Sequence, residues 1–153
     1  MQGKARLNAI IPREAGFNEE EQQNMEGTLT LFYSRVRALF DTGASNSFIT
    51  VRMMNDLGLV PQELEIVLNA ISSLGVIVKL GKVCKDCPST LENRNFLADL
   101  IVLSMSEFDV ILGIDWLTKY RAILDYISKS INFTMPRELS FKFQCELTSN
   151  AFL

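Results

Sequence analysis

The feature that most constrains the fold of this chain is a series of short apolar runs separated by turn-forming residues. After Pro61 the runs are LEIVLNAI, VIVKL, FLADLIVL, FDVILGI, AILDY and SINFTM, and Gly, Ser, Pro or Asn stands between them. Runs of about four to eight residues are typical of strands, whereas a helix needs about ten or more. The pattern therefore predicts a mostly β domain, built as a folded-over sheet or barrel.

Before Pro61, the pattern predicts a β-hairpin followed by one short helix. TLTLFY alternates apolar and polar residues, and VRALFD follows after a break at residues 34–35, as in two paired strands. In TVRMMNDLGL the apolar residues recur at helical spacing, and Gly58 stands where the helix would end. We therefore expect one or two short helices beside the strands.

The length of the chain is sufficient for one compact core. It has 153 residues, 48% of them hydrophobic, and a domain of this size buries most of its apolar surface in a single core. We expect this domain at residues 27–136. Residues 1–26 end in FNEEEQQNMEG, a polar stretch without a sustained period, which predicts a linker arm. Residues 137–153 are weakly strand-like and are interpreted as a C-terminal linker toward a next segment.

Charge and rare residue types exclude several classes of function. The net charge is −3, so we expect no direct nucleic-acid ligand and no anionic membrane partner, and no apolar run is long enough to span a bilayer. The chain has no histidine, which excludes Ser-His and Cys-His pairs and histidine-ligated zinc. Three cysteines fit a reducing compartment better than a disulfide framework. Any hydrolytic chemistry must therefore use carboxylates, in a protein that we expect to be soluble and intracellular.

The first candidate functional motif is LFDTGASNSFI. Asp41 stands where the strand VRALF ends, and Gly43 permits a tight loop that a side chain would block. Thr42 adds a hydroxyl group, and Ala44 and Ser45 keep the loop narrow. An acid at a strand end beside small residues can hold a water molecule or a phosphate, but the same residue types also form ordinary surface turns. The tripeptide alone does not decide between the two.

The second candidate motif is FDVILGIDWL, residues 108–117. Its continuous apolar run predicts a strand that is covered on both faces, and Gly113 would let another backbone approach closely. Asp115 is placed to cap a short helix that begins with Trp116. A buried strand that runs into a helix explains these residues without any function. The functional hypothesis requires that this strand lie beside the Asp41 loop.

Taken together, the two motifs resemble the retroviral-type aspartic proteases, in particular the protease segment of gag-pol polyproteins from Ty3/gypsy-type long-terminal-repeat retrotransposons. The resemblance runs from about Gly27 to Pro136 and includes EGTLTLF, LADLIVL and AILDY with INF. Viral members usually follow the glycine of the second motif with Arg and then Asn or Asp, whereas Ile114 precedes Asp115 here, which fits the retrotransposon branch. The resemblance implies a retropepsin-like β barrel that forms one lobe of a twofold symmetric homodimer.

The resemblance also implies roles for individual residues. Asp41 would be the catalytic aspartate, Thr42 the threonine whose hydroxyl grips its twin across the dimer, and Gly43 the glycine that lets substrate and loop pack. The support of this loop would come from Ala44, Ser45, Ile111, Leu112 and Gly113. The flap, a hairpin that closes over the substrate, falls on ISSLGVIV, with Ser73, Leu74 and Gly75 at its tip.

The implied activity is aspartic endopeptidase action without metal or cofactor. Two carboxylates a few Å apart cannot both ionise, so they share a proton and together act as the base and the acid of amide hydrolysis. One Asp-Thr-Gly per chain then requires a homodimer, in which each loop meets its copy. The substrate would be a gag-pol polypeptide bound as an extended strand. We expect this processing in the cytoplasm, either free or within virus-like particles.

Four alternative hypotheses remain open at this stage. Cys84 and Cys87 are half of a zinc site or a redox pair, or else incidental cysteines. Asp99, Asp109 and Asp115 are a magnesium cluster, or else strand ends and helix caps. Asp41, Gly43 and Ser47 also resemble the first phosphate loop of the actin, Hsp70 and sugar-kinase group. Finally, the domain is a protease-like dimerisation or peptide-binding module that does not cleave.

Overall fold

The computed structural model describes residues 9–10, 24–71, 75–104, 107–134 and 140–146. Its strands are β1 (Ala9–Ile10), β2 (Met25–Leu31), β3 (Ser34–Phe40), β4 (Phe48–Thr50), β5 (Gln62–Ile71), β6 (Ile77–Leu91), β7 (Arg94–Leu103), β8 (Val110–Leu112), β9 (Ala122–Asp125), β10 (Ser130–Phe133) and β11 (Phe141–Gln144). The helices are α1 (Val51–Leu57) and α2 (Ile114–Lys119). The prediction of a mostly β chain with short helices is confirmed.

Strands β2 and β3 form the predicted hairpin, but its turn lies two residues earlier than predicted. The turn consists of Phe32 and Tyr33, both at positive φ, and Leu31 is paired with Ser34. Two consecutive positive φ values match the twist of a two-residue hairpin, although bulky side chains seldom adopt them. The prediction of a break at residues 34–35 is therefore wrong, because the turn uses residues that usually extend a strand.

Helix α1 is capped at both ends, and its C-terminal cap is the predicted Gly58. The Thr50 hydroxyl accepts a hydrogen bond from the backbone N–H of Met53 at 3.1 Å, which satisfies one of the donors left open at a helix start. At the other end Gly58 has φ +71, the left-handed conformation of a C-cap. Neither this helix nor α2 in the described part of the chain is long and apolar enough to cross a membrane.

Eight strands form one sheet in the order β1-β5-β6-β2-β3-β8-β4-β7, and β7 also pairs with β6. Strand pairing therefore continues from β6 through β2, β3, β8, β4 and β7 and then returns to β6. Strand β6 is 15 residues long and includes a stretch, GKVCKDCPSTL, that the apolar pattern does not reveal as a strand. A bulge between Cys84 and Cys87 shifts its register against β7, so its buried residues do not alternate regularly.

The C-terminal strands pack onto the main core. Strands β9, β10 and β11 form a separate three-stranded sheet, and the ring of Phe143 in β11 lies 5.8 Å from the ring of Phe40. Phe143 and Cys145 are both buried. Residues 141–146 thus belong to the folded unit, although they lie in the segment 137–153 interpreted as a linker. Likewise, Met25 and Glu26 of the predicted arm begin β2.

Aromatic side chains fill the space between the two sheets and helix α2. Trp116 is buried and lies within 6.1 Å of the Phe40 ring and 5.5 Å of the Phe96 ring. Phe133 packs edge-on against the same tryptophan at 5.8 Å. These contacts make Trp116 a packing anchor, and they fix α2 at the end of β8.

Candidate active site

The loop at residues 41–47 crosses the end of strand β8. Strand β3 pairs with β8 in parallel, with Phe40 opposite Leu112, and β4 pairs with β8 on its other side, with Phe48 opposite Ile111. Strand β8 therefore lies between β3 and β4. The loop that joins β3 to β4 has to pass over the position where the chain leaves β8. The topology thus brings the two sequence motifs into contact.

Asp41 is held at the start of this loop by backbone hydrogen bonds. Its N–H donates to the carbonyl of Leu112 at 3.0 Å, and its carbonyl accepts from the N–H of Ala44 at 3.2 Å. Its side-chain Oδ1 accepts from the N–H of Gly43 at 2.8 Å. Asp41 is only 5% exposed. The acid is therefore buried and oriented by main-chain donors, an arrangement that a simple surface turn does not require.

Gly113 is the point of closest approach between the loop and β8. A Cβ atom at this position would lie 2.2 Å from the carbonyl oxygen of Asn46 and 2.6 Å from that of Ala44. Both neighbours are backbone atoms, which cannot rotate away. The same Ala44 carbonyl accepts a hydrogen bond of 2.8 Å from the N–H of Ile114. Only glycine fits here, because any side chain would push the loop off the strand.

The hydroxyl group of Ser47 ties the far end of the loop to the same glycine. Ser47 is fully buried, its Oγ accepts from the N–H of Gly113 at 3.0 Å, and it donates to Asp115 Oδ1 at 2.7 Å. Burial of the carboxyl group raises the pKa of Asp115, and the hydrogen bond from Ser47 opposes this rise. Asp115 lies in the first turn of α2, whose N-cap is Gly113. The prediction that Asp115 caps the helix is therefore wrong by two positions.

Thr42 and Gly43 are the exposed residues of the loop. Thr42 borders an open groove of about 540 Å³ that continues along α2 and strand β9. Ile114, Ile123 and Tyr126 line this groove with exposed apolar surface. Exposed apolar side chains beside a buried acid mark a surface that another chain can cover.

The structure brings most of the predicted site residues together. Ala44 is buried within the loop, and Ile111 and Leu112 are buried in β8. The buried Oγ of Ser45 makes no hydrogen bond within the described part of the chain. Of the predicted flap tip, Ser73 and Leu74 lie outside the described residues. Gly75 lies between β5 and β6 with φ +84, and a Cβ there would meet no atom within 4 Å. The flap role of this hairpin stays a prediction.

The structure does not support the metal and phosphate hypotheses. Within the described ranges no three Cys, Asp or Glu side chains are grouped so that they could hold a metal ion. Asp109 Oδ2 accepts instead from the N–H of Arg37, and Asp99 Oδ1 from the N–H of Asp86. A phosphate loop needs the Ser47 hydroxyl at its surface, but that hydroxyl is buried and bonded to Gly113 and Asp115.

The two hydrogen bonds by which Ser47 fixes the loop could not be predicted from the sequence. Its hydroxyl appeared only in the phosphate-loop hypothesis, and the partners Gly113 and Asp115 lie more than 60 residues away in sequence. The available signal was a polar residue directly before the apolar strand β4, at a position that is fully buried. A buried hydroxyl of this kind requires a partner.

A protein family and solved structures are similar to this chain. A family model described as retroviral aspartyl protease matches residues 2–139. The retroviral protease-like domain of Ddi1 from Leishmania major has a similar structure, with a TM-score of 0.60 and 17% sequence identity over 80% of this chain and 90% of that chain. The EIAV protease, solved with an inhibitor, has a TM-score of 0.52 and 20% identity over 72% of this chain and 99% of its own. No curated protein sequence matches significantly.

Proposed function

Because the chain belongs to the retroviral aspartyl protease family, we propose that it is an aspartic endopeptidase that acts as a homodimer. The observation that carries the proposal is the geometry of Asp41. This acid is buried at a strand end, its Oδ1 accepts from the N–H of Gly43, and the next two residues are exposed. The acid thus lies directly beneath a surface on which a second chain and a peptide can bind.

The proposed reaction uses one Asp41 from each chain. Two carboxyl groups that meet at the twofold axis cannot both ionise. One of them therefore keeps its proton while the other is ionised. The ionised carboxyl takes a proton from water, which attacks the peptide carbonyl, while the protonated carboxyl donates to the carbonyl oxygen. As the C–N bond breaks, the carboxyl that took the proton from water gives it to the leaving nitrogen, and the other carboxylate takes a hydroxyl proton from the tetrahedral intermediate. The hydrogen bond from Gly43 restrains each carboxyl, and the backbone bonds of Asp41 hold its main chain, so that little reorganisation is needed.

The groove beside Thr42 supports the proposed dimer. A dyad requires an axis next to Asp41, and the exposed side chains of Ile114, Ile123 and Tyr126 would be covered by a copy placed on that axis. Strand β9 is the outer strand of its three-stranded sheet. The edge of β9 can therefore pair with a second copy and satisfy its open backbone groups.

The proposed substrate is a gag-pol polyprotein of retrotransposon type, processed in the cytoplasm. What supports this origin is the residue that follows the glycine of the second motif. Ile114 stands where viral members carry arginine, and its exposed side chain lines the groove. An apolar residue at this position would contribute apolar surface to the dimer instead of a charge.

The experiment that tests the proposal compares three forms of the chain within a longer polyprotein. Asp41→Asn keeps the size of the side chain but removes the acid, and Asp56→Asn, at an exposed position of α1, removes the same charge elsewhere. We expect processing by the parent and by Asp56→Asn, and none by Asp41→Asn. Equal processing by all three forms would contradict the proposed mechanism.

The non-cleaving module remains the second candidate function. The similar domain from Leishmania major is described only as retroviral protease-like, so its fold supports either function. This candidate predicts that purified chain and Asp41→Asn bind the same peptides and that neither cleaves them. Peptide turnover measured by mass spectrometry therefore separates the two functions, because binding alone leaves every peptide intact.

A further inference from the structure

Strand β1 lies on the outer edge of strand β5. Ala9 is paired with Ala70 and Ile10 with Ile71, in parallel, and β1 is the outermost strand of the eight-stranded sheet. The other edge of β5 is paired with β6. A segment from the N-terminal part of the chain therefore occupies the edge of β5 just before the hairpin connection that contains Gly75.

This edge has the properties of a site for strand addition. It offers backbone donors and acceptors, and the side chains around it are aliphatic and at least half exposed, namely those of Val67, Ile71, Val76 and Ile77. An apolar edge of this kind pairs readily with another extended segment. The two residues that the chain itself provides, Ala9 and Ile10, are uncharged and aliphatic in sequence.

The same edge is connected to the Asp41 loop through the core. Ala70 belongs to one buried cluster with Ala44 of the loop and Ile111 of β8. A chain bound along residues 70–71 thus lies on the part of the domain that packs against the loop. This step depends on the proposed endopeptidase function and on the prediction that the substrate binds as an extended strand under the flap.

We infer that the β5 edge at Ala70 and Ile71 is a docking site for extended aliphatic peptides, and that residues 9–10 occupy it in cis. The N-terminal segment then acts as a built-in competitor of substrate. Because both pair with the same backbone groups, they exclude each other. The apparent association constant for a peptide is therefore the intrinsic constant multiplied by the fraction of chains in which the edge is open.

The docking itself is tested by a disulfide in the full chain. Neighbouring strands lie about 4.8 Å apart, and Cα atoms within about 4.4–6.8 Å can be bridged. Ile10→Cys with Ile71→Cys joins an in-register pair, whereas Ile10→Cys with Asn69→Cys is shifted by two residues and is the matched control. After mild oxidation, mass spectrometry should find the bond in the first variant and little of it in the second. Equal bond formation in both variants, or none in the first, would overturn the inference.

The competition is tested by peptide binding, which needs no catalysis. A fluorescent peptide with the sequence of residues 4–15 is titrated against Asp41→Asn chains that also carry Ala9→Pro and Ile10→Pro, because proline removes the backbone donors of β1. We expect about tenfold tighter binding than to Asp41→Asn alone, if the segment closes the edge in about nine of ten chains. The oxidised Ile10→Cys and Ile71→Cys chain should bind no peptide until it is reduced.

The outcomes separate this inference from the proposed function. Peptide binding that is unchanged by the proline substitutions and by the disulfide overturns the inference, even where Asp41 cleaves substrate. Peptide binding that follows the predicted order supports it, even where no form of the chain cleaves. A peptide with proline at the positions of residues 9 and 10 is the negative control, and its binding would also count against strand pairing.

Discussion

Gly113 and Asn46 approach so closely that a Cβ atom on the glycine would lie 2.2 Å from the asparagine carbonyl oxygen. This contact joins the strand of the second motif to the loop of the first. Any side chain at residue 113 must displace the loop that carries Asp41. Backbone geometry therefore requires glycine at residue 113, whether or not the loop has a catalytic function.

Gly113→Ala should destabilise the fold and displace the loop. Overpacking against fixed backbone costs about 1–3 kcal/mol, and more where nothing can move. The matched control is Gly81→Ala in β6, where a Cβ would meet no atom within 4 Å. Urea unfolding should show a clear loss for Gly113→Ala and little change for Gly81→Ala. Equal stability of the two variants would contradict the close contact.

Ser47→Ala should remove a hydrogen-bond partner from two polar groups, the N–H of Gly113 and the carboxyl of Asp115. The variant removes the acceptor of the Gly113 N–H and the donor to Asp115, and a buried group left unpaired costs about 1–3 kcal/mol. Ser47→Thr keeps the hydroxyl and is the conservative control. We expect a lower urea midpoint for the alanine variant than for the threonine variant. A loss that is larger for threonine would point to tight packing instead of hydrogen bonding.

Asp115 should make stability depend on pH in the acid range. Its pKa is raised in the folded chain, so the folded state binds this proton more strongly than the unfolded state does. Stability should therefore fall as pH rises through the window between the ordinary and the raised pKa of Asp115, and stay lower above it. Asp115→Asn should remove this slope, and Asp56→Asn should not. Parallel curves of urea midpoint against pH for all three chains would contradict the shift.

The three cysteines should not react in the folded chain. Cys84, Cys87 and Cys145 are buried, and burial raises the pKa of Cys87 and Cys145 to about 12. At about pH 8 Cys87 and Cys145 therefore carry almost no thiolate, which is the reactive form, and burial also raises the pKa of Cys84 and disfavours its thiolate. A thiol reagent should therefore label no cysteine until urea is added. Rapid labelling of the native chain would revive the redox hypothesis for Cys84 and Cys87.

Mixing active and inactive chains should reveal whether each site needs two copies of Asp41. If wild type and Asp41→Asn exchange freely at equal amounts, only about one quarter of the dimers carry two acids. Activity should then fall to about one quarter of that of wild type at the same total concentration. Mixtures with Asp56→Asn should keep full activity. A decrease to about one half would indicate that a single chain is sufficient.

Local patterns predicted most elements because several strands bury one or both faces, as β2, β7 and β8 do. The runs that became β5, β7 and β8 are apolar enough to be visible without the structure. Strand β6 was partly missed because its bulge exposes Lys85 and Asp86 in the middle of the strand. The hairpin turn was misplaced because Phe32 and Tyr33 adopt a conformation that their side chains disfavour.

Pairings between distant segments could not be predicted from local patterns. Nothing near Asp41 indicates that its N–H bonds to Leu112, or that Ser47 bonds to Gly113. The two motifs predicted that these regions meet, but only through a family resemblance. Strand β1 could not be predicted for a related reason, because two residues in a polar arm show no period and are identified as a strand by their pairing with β5.

The parallel pairing of β3 with β8 also sets an order of events while the chain is made. The acid at residue 41 is synthesised about seventy residues before the Leu112 carbonyl that fixes its backbone. Contacts between such distant residues form late, and β-rich chains complete them in milliseconds to seconds. The endopeptidase proposed above would thus remain inactive until its own second motif has been synthesised and has folded back onto the first.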